Sequence, residues 1–299
     1  MEEPAMNEAT DFQSTWADRG RLLISCPDRP GIVAAVSRFL YEQGANIVQS
    51  DQHTTDPEGG RFFMRVEFQV DHLPDREQEL KRAFQHTADT FQMEWRMTLA
   101  ARKKRLALFV SKEDHCLQEL LWRWRIGELH ADIAMVISNH RDLEPAVAPF
   151  GIPYHHVPVN KETRLEAEVK HLELMKDKVD AVVLARYMQI IPSRTIQAYQ
   201  NRIINIHHSF LPAFVGAKPY HQAHERGVKI IGATAHYVTE ELDQGPIIEQ
   251  DVQRVDHRCR VEDLKRIGRD VERLVLAKAV NWHLNDQVLV HGNKTVVFR

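Results

Sequence analysis

The 299-residue chain is long enough for about two domains. Its 43% hydrophobic and 27% charged residues are ordinary for a water-soluble globular protein, and a formal net charge of -3 gives no pull toward nucleic acid or an anionic membrane. No apolar run nears the ~18 residues needed to span a bilayer, and the polar, acidic first twenty residues lack the pattern of a signal or transit peptide. A cytoplasmic protein with a loosely ordered tail over residues 1–20 is expected. The three cysteines, Cys26, Cys116 and Cys259, are odd in number and far apart, so neither a disulfide framework nor a Cys-x-x-Cys metal site is indicated. Such usage suits a reducing compartment, and Cys116, within an apolar helical stripe, reads as a small buried hydrophobe.

Residues 21–26 carry the apolar run Leu22-Leu23-Ile24 and meet the turn Pro27-Asp28-Arg29-Pro30-Gly31, so a strand runs into a turn. Ile32, Val33, Val36, Phe39 and Leu40 then recur at helical spacing, with Gly44 placed to end the helix. A second strand is expected over residues 46–51. A third follows, in which Phe62, Met64, Val66, Phe68 and Val70 alternate with Phe63, Arg65, Glu67, Gln69 and Asp71, one buried face against one mostly polar face. Leu80, Phe84, Ala88 and Phe91 mark a second helix, and residues 93–99 a last strand. The order is βαββαβ, a ferredoxin-like split βαβ over residues 21–100.

The run from Cys26 through Asp28, Pro30 and Gly31 to Ile32, followed by Gly44-Ala-Asn46-Ile47, resembles the ACT domain, a module that often binds small amino acids and pairs with a second copy of itself. The resemblance implies a regulatory ligand site at Asp28, Pro30, Gly31 and Asn46, glycine or methionine as effector, and a homo-oligomer. Gly31 permits a tight turn, and the helix start behind it favours a carboxylate, with the ligand ammonium near Asp28. Assembly without a ligand is the equal alternative.

Residues 101–105, with the basic tetrad from Arg102 to Arg105, read as a solvated linker. A catalytic domain is expected over residues 106–299. Leu106–Val110 is a continuous apolar run, as for a parallel strand buried on both faces. Leu117, Leu120, Leu121 and Trp124 form a helical stripe, residues 133–137, 181–184 and 203–206 are further buried strands, and a charged helix spans about residues 162–178. This alternation predicts an open, mostly parallel Rossmann-like α/β sheet, with its site beyond the carboxyl ends of the strands. Longer antiparallel strands follow over 229–239 and 246–255, then a helix over about 261–285 and a terminal hairpin over 288–298. Gly-x-Gly-x-x-Gly and Walker-type loops are both missing from the sequence, so no dinucleotide or ATP is indicated and no cofactor is expected.

Chemistry concentrates in two stretches. In the first, Asn205 and His207 are two apart and face one side of an extended chain, where an amide and an imidazole can both donate to one developing oxyanion. In the second, from His236 to Pro246, Asp243 offers a carboxylate that can orient a water or an imidazole. Taken singly, Asn205 could be an Asx turn, His207 a structural histidine and Asp243 a turn former. His208, His221 and His224 lack a matching carboxylate or thiol set, so a metal site is not expected.

The Asn-x-His…Asp set, with its Asp-x-Gly-Pro-Ile loop, is similar to the folate-dependent formyltransferase family, as are Val136–Asn139 and Leu184–Pro192. The resemblance spans nearly all of residues 104–285 and implies Asn205, His207 and Asp243 as the catalytic trio. It places Arg186, Tyr187, Met188, Ile190, Ile191, His236, Val238 and Leu242 around the pterin of a folate substrate, with Lys218 or solvent at the glutamate tail. Within the family, the ACT-like leader, His208 and the segment Val110-Ser-Lys-Glu-Asp-His-Cys-Leu117 resemble the branch that hydrolyses 10-formyltetrahydrofolate. Transferase relatives commonly carry proline at the position of His208 and a glycine-rich phosphate loop at 110–117. The implied reaction releases formate for purine synthesis and balances the one-carbon folate pool. The residues at 110–117, with His208, are expected to fill the place of an amine acceptor so that only water reaches the formyl carbon. Transfer to an unphosphorylated amine, and a silent amino-acid sensor, are the alternatives.

Overall fold

The computed structural model describes residues 16–56, 58–213 and 219–299, so most of the expected tail and Lys218 lie outside the described residues. The chain divides into two compact units, Met1–Lys103 with Asn285–Leu289 and Val296–Arg299, and Lys104–Leu284 with Val290–Thr295.

In the first unit, β1 (Arg19–Pro27), α1 (Ile32–Glu42), β2 (Asn46–Thr54), β3 (Arg61–Gln69), α2 (Leu73–Phe91) and β4 (Glu94–Leu99) follow the expected βαββαβ order. The strands form an antiparallel sheet, β2-β3-β1-β4. Leu22, Ile24, Val66 and Phe68 are fully buried on the side that takes the helices, where Phe84 meets Phe39 and Trp95 edge-on at 5.0 and 4.8 Å.

The second face of β3 differs from the expected polar one. Phe63, Arg65 and Glu67 are buried there. The reason lies far along the chain, in residues 285–289, which group with this unit rather than with the C-terminal domain expected to run to residue 299. Arg65 Nε donates to the Asp286 carbonyl at 3.1 Å, Arg21 to Asn285 Oδ1 at 3.1 Å, and Thr98 Oγ1 to Asp286 Oδ2 at 2.9 Å. Glu67 lies 3.0 Å from Arg65 and 3.3 Å from Arg19, so these buried charges are paired, the condition under which burial is tolerated.

The second unit is built on a seven-stranded sheet in the order β11-β10-β9-β8-β5-β6-β7. Its strands are β5 (Lys104–Val110), β6 (Ala131–Ser138), β7 (Tyr154–His156), β8 (Ala181–Leu184), β9 (Ile203–His207), β10 (Ile230–Tyr237) and β11 (Ile247–Arg254). β5 to β9 pair in parallel, while β10 runs antiparallel to both β9 and β11. Helices α3 (His115–Arg125), α4 (Glu144–Val147), α5 (Arg164–Met175), α6 (Ser193–Ala198), α7 (Pro219–Glu225) and α8 (Val261–Leu284) complete the unit. The short α4, α6, α7 and β7 were not among the expected elements, being too brief to show a period. The terminal hairpin pairs β12 (Val288–His291) with β13 (Lys294–Val297). Among the described residues no helix is long and apolar enough to cross a membrane.

From β5 the chain builds outward to β6 and β7, then returns to β5's other side for β8 and β9. That reversal opens a crevice at the carboxyl ends of β5 and β8, the place where open α/β sheets hold ligands.

Beneath this crevice α5 contributes His171, which is 5% exposed, packs edge-on against Phe109 at 5.1 Å, and has no partner for Nε2 among the described residues. Burial pushes its imidazole down to about 4 from an ordinary 6.5. As pH falls, the unfolded chain takes up this proton before the folded one, so stability is lost between pH 6.5 and 4. His171 is expected to cost about 2 kcal/mol by pH 5. Denaturant unfolding at pH 7.5 and 5.0 measures the loss. In His171→Leu the loss should shrink; an unchanged pH dependence would count against a neutral, buried imidazole.

Candidate active site

β9 places Asn205 and His207 on one face by the two-residue period of a strand. Antiparallel β10 sets His236 directly opposite Asn205, so the imidazole joins the same face. A β-bulge between Ala235 and His236 in the pairing with β11 locally increases the twist here. His236 Nδ1 lies 2.9 Å from the Tyr237 carbonyl, which can only accept, so Nδ1 carries the proton. Its Nε2 lies 3.1 Å from Asn205 Nδ2.

Asp243 reaches the same point from the loop after β10. Its Oδ2 lies 3.2 Å from His207 Nδ1 and its Oδ1 3.7 Å from His236 Nε2. Burial alone would raise the carboxyl, but hydrogen bonds and charge from His207 and His236 outweigh it and hold Asp243 well below the usual carboxylate range. With Nδ1 turned to Asp243, His207 Nε2 is buried and has no hydrogen-bond partner among the described residues. The loop is tightly held: Asp243 takes φ 57°, a left-handed conformation that aspartate tolerates better than most residues, and the Tyr237 amide donates to the Pro246 carbonyl at 2.9 Å. A Cβ on Gly245 would overlap the Tyr237 carbonyl, so only glycine lets the loop close on the strand.

The opposite wall comes from the end of β8. Ser111 Oγ accepts from the Met188 amide at 3.0 Å and donates to Asn139 Oδ1 at 2.7 Å, tying the 186–191 loop to the ends of β5 and β6. Tyr187 is buried edge-on against Phe109 at 5.2 Å, whereas Met188, Ile190 and Leu242 are 57%, 58% and 59% exposed. These residues enclose a cavity of about 410 Å³, and every residue expected from the sequence for catalysis or pterin contact lines it. Apolar side chains around one polar corner suit a flat aromatic ligand with a single reacting group.

Arg186 lines this cavity, yet its Nε sits 3.3 Å from Glu272 Oε2. Glu272, on α8, also engages His115 Nε2 at 2.8 Å and Tyr220 Oη at 2.6 Å. Burial raises its carboxyl, but His115, Arg186 and Tyr220 together bring it below the ordinary value. Sequence reasoning missed Glu272, one of many charged residues on a long helix. The one signal was Gly268, a turn earlier, where any Cβ would strike the Tyr220 ring.

His115, Cys116 and Glu272 offer ligand atoms within 4.8 Å of one another. Glu272 is already occupied by three neighbours, and burial pushes the Cys116 thiol well up, so the set reads as an internal hydrogen-bonded cluster. The 110–117 segment does not fill the space beside His208 as expected. A second cavity of about 370 Å³ remains there, with Glu113 and His115 of the segment in its wall.

The four expected regulatory residues do not converge within the chain. Asp28 accepts from Thr54 Oγ1 at 2.6 Å, at the end of β2, while Asn46 begins that strand. Eight residues of extended chain separate them, about 26 Å. Pro30 and Gly31 are exposed at the start of α1, where Gly31 takes φ 95°.

Residues 20–85 match the ACT domain and residues 104–280 the formyl transferase family. The chain is 60% identical over 282 residues to the formyltetrahydrofolate deformylase of Bacillus subtilis (strain 168), covering 94% of each. The structure of a formyltetrahydrofolate deformylase from Pseudomonas syringae pv. tomato str. DC3000 superposes with a TM-score of 0.91 at 52% identity, over 99% of this chain and all of that one. Glycinamide ribonucleotide transformylase 1 from Symbiobacterium toebii matches 66% of this chain and 95% of its own, with a TM-score of 0.62 at 31% identity. An ACT domain joined to a formyl transferase domain defines the class, and the chain belongs within it to the formyltetrahydrofolate deformylase family.

The packing of the Asp243 loop yields a stability test. Gly245→Ala should cost about 2 kcal/mol and Gln244→Ala, an exposed neighbour, less than about 0.5 kcal/mol. Thermal melting of both variants measures the difference, and equal losses would refute the close approach.

Proposed function

We propose that the chain hydrolyses 10-formyltetrahydrofolate to formate and tetrahydrofolate, with Asn205, His207 and Asp243 at the reacting carbon. The observation that carries this reading is the convergence of an amide nitrogen, an unpartnered imidazole nitrogen and an ionised carboxylate at the polar corner of a mostly apolar cavity. Formate from this reaction supplies purine synthesis, and its removal balances the one-carbon folate pool. A cytoplasmic setting suits the three free cysteines.

The formyl carbon is an amide carbon. Water must attack it, an oxyanion must be held, and the folate nitrogen must leave with a proton. Asp243 orients the water. A carboxylate held so far below its usual range is a weak base alone, so it acts with His207 to take the proton. Asn205 and the protonated His207 donate to the oxyanion, and His207 Nε2 then protonates the departing nitrogen. The carbon–nitrogen bond breaks, the water oxygen stays on carbon, and formate leaves with one net proton released. The sequence requires no cofactor. Arg186, Tyr187, Met188, Ile190, Ile191, His236, Val238 and Leu242 form the pterin wall in this reading.

For the N-terminal domain we infer a small amino-acid effector, glycine or methionine, and pairing with a second copy of the chain. Support comes from the ACT match, the open helix start at Gly31, and the exposed edge strand β2 with Ile47 and Val48 on its surface. Because Asn46 lies far from Asp28, a shared site would draw these residues from two copies.

Purified protein incubated with 10-formyltetrahydrofolate and no amine should release tetrahydrofolate and formate one for one. Release only on adding an amine would make it a transferase, and no release a silent sensor. Asn205→Ala, His207→Ala and Asp243→Ala should each lower kcat by ~100- to 1000-fold. Retention of activity within about tenfold, roughly 1.4 kcal/mol of barrier, would remove the trio from the chemistry. Titrating glycine and methionine against the full chain should shift kcat/KM, on the scale of a coupling of ~1 to 3 kcal/mol. Light scattering should give a multiple of the chain mass. A monomer unresponsive to both amino acids would leave the domain without the assigned roles.

A further inference from the structure

The two cavities adjoin. The folate cavity and the second cavity of about 370 Å³ share Arg186 and His208 in their walls. Their chemistry differs. The first has an apolar rim of Met188, Ile190 and Leu242, whereas the second carries three cations, Arg186, Lys265 and Arg269, against the carboxylates of Glu113 and Glu272.

The polar groups of the second cavity are not all engaged. His115 Nε2 is turned to Glu272 at 2.8 Å, its side chain is 10% exposed, and its buried Nδ1 has no hydrogen-bond partner among the described residues. His221 Nδ1, also in the wall, is buried in the same condition. The His115 Nδ1 lies 4.0 Å from Glu113 Oε2, beyond hydrogen-bonding distance. Arg186 pairs with Glu272 and Arg269 with Glu113, both at 3.3 Å, so Lys265 leaves the wall with an excess of one positive charge, the complement of a compact monoanion.

We propose that this second cavity is the exit pocket for the formate ion. The inference rests on the hydrolytic reading above. Formate forms beside the Asp243 carboxylate, and two like charges at close range repel. The folate occupies the mouth of the first cavity, so the anion moves past His208 toward Arg186 and Arg269. Burial pushes the His208 imidazole down to about 4, so the ring between the cavities is neutral and neither traps nor repels the ion at neutral pH.

The test uses the full chain and sodium formate, at ionic strength fixed with sodium chloride. Formate should inhibit turnover noncompetitively against 10-formyltetrahydrofolate. Lys265→Ala and Arg269→Ala, checked for folding by circular dichroism, should raise the ratio of formate Ki to folate KM at least fivefold. Line broadening of ¹³C-formate in protein without folate gives binding independently of turnover and should weaken in both variants. Inhibition competitive with the folate, an unchanged ratio, or no broadening would each overturn the exit pocket. So would inorganic phosphate displacing ¹³C-formate at lower concentration than unlabelled formate, which would make the cavity a site for a phosphorylated acceptor. Formate binding in this pocket by a protein that releases none from folate would sink the hydrolytic reading and leave an anion pocket standing.

Discussion

The polar corner of the larger cavity depends on one ion pair, the Asp243 carboxylate held by His207 with His236 behind it. A carboxylate this enclosed would ordinarily favour its neutral form, and two imidazoles reverse the preference. The consequence reaches both ends of the pair. Asp243 remains a fixed negative charge, and His207 is turned so that its other nitrogen faces the cavity. The scaffold makes the pair unavoidable. β9 supplies the histidine at a strand end, β10 pairs back to set His236 opposite Asn205, and the turn at Gly245 returns Asp243 to the same place. Replacing any one of these would move a charge that has few other partners.

A second buried carboxylate, Glu272, is stabilised by a different set of neighbours. Where Asp243 has two histidines, Glu272 has one histidine, one arginine and a tyrosine hydroxyl. Arg186 joins the two regions: it ends the wall of the larger cavity on one side and faces Glu272 on the other. Its left-handed backbone, φ 64°, lets the chain turn sharply at the end of β8. An arginine that looks from sequence like a substrate contact is therefore also a strut, and its loss would disturb both the loop to Ile191 and the charge of Glu272.

Much of this was legible in the residues. Local periods place the βαββαβ unit and the parallel strands, because a strand such as Leu106–Val110 buried on both faces leaves an unbroken apolar run. Asn205 and His207 were legible as a pair since two residues on one strand need no tertiary information to share a face. What was hidden required contacts between distant segments. Arg65 and Glu67 alternate with apolar residues as a solvent face would, and only the return of Asn285 and Asp286 buries them. Glu272 sits in an amphipathic helix among solvated charges, and nothing local separates it from Glu262 or Asp263. The spacing of the regulatory residues was hidden for the opposite reason: a motif read along the chain places Asn46 near Asp28 in sequence, while the extended length of β2 carries them apart within one chain.

The shared architecture with a transformylase, at 31% identity over two thirds of the chain, indicates where water and amine chemistry diverge. The strand framework that gathers Asn205, His207 and Asp243 belongs to the whole sheet, so on the proposed reading it constrains the oxyanion and the proton but not the nucleophile. The proposed reading assigns the choice of nucleophile to the first strand-to-helix turn, where Ser111 is spent on Met188 and Asn139, and Glu113 and His115 line the neighbouring cavity with side chains. A turn built from glycine amides would offer a fixed cluster of donors to a doubly charged phosphate. One built from a carboxylate, an imidazole and distant guanidinium groups has a smaller excess of positive charge, adequate for a monoanion and poor for a phosphoester. On the proposed reading an open cavity is then compatible with hydrolysis, because exclusion of a phosphorylated amine follows from charge and donor geometry and not from filled volume.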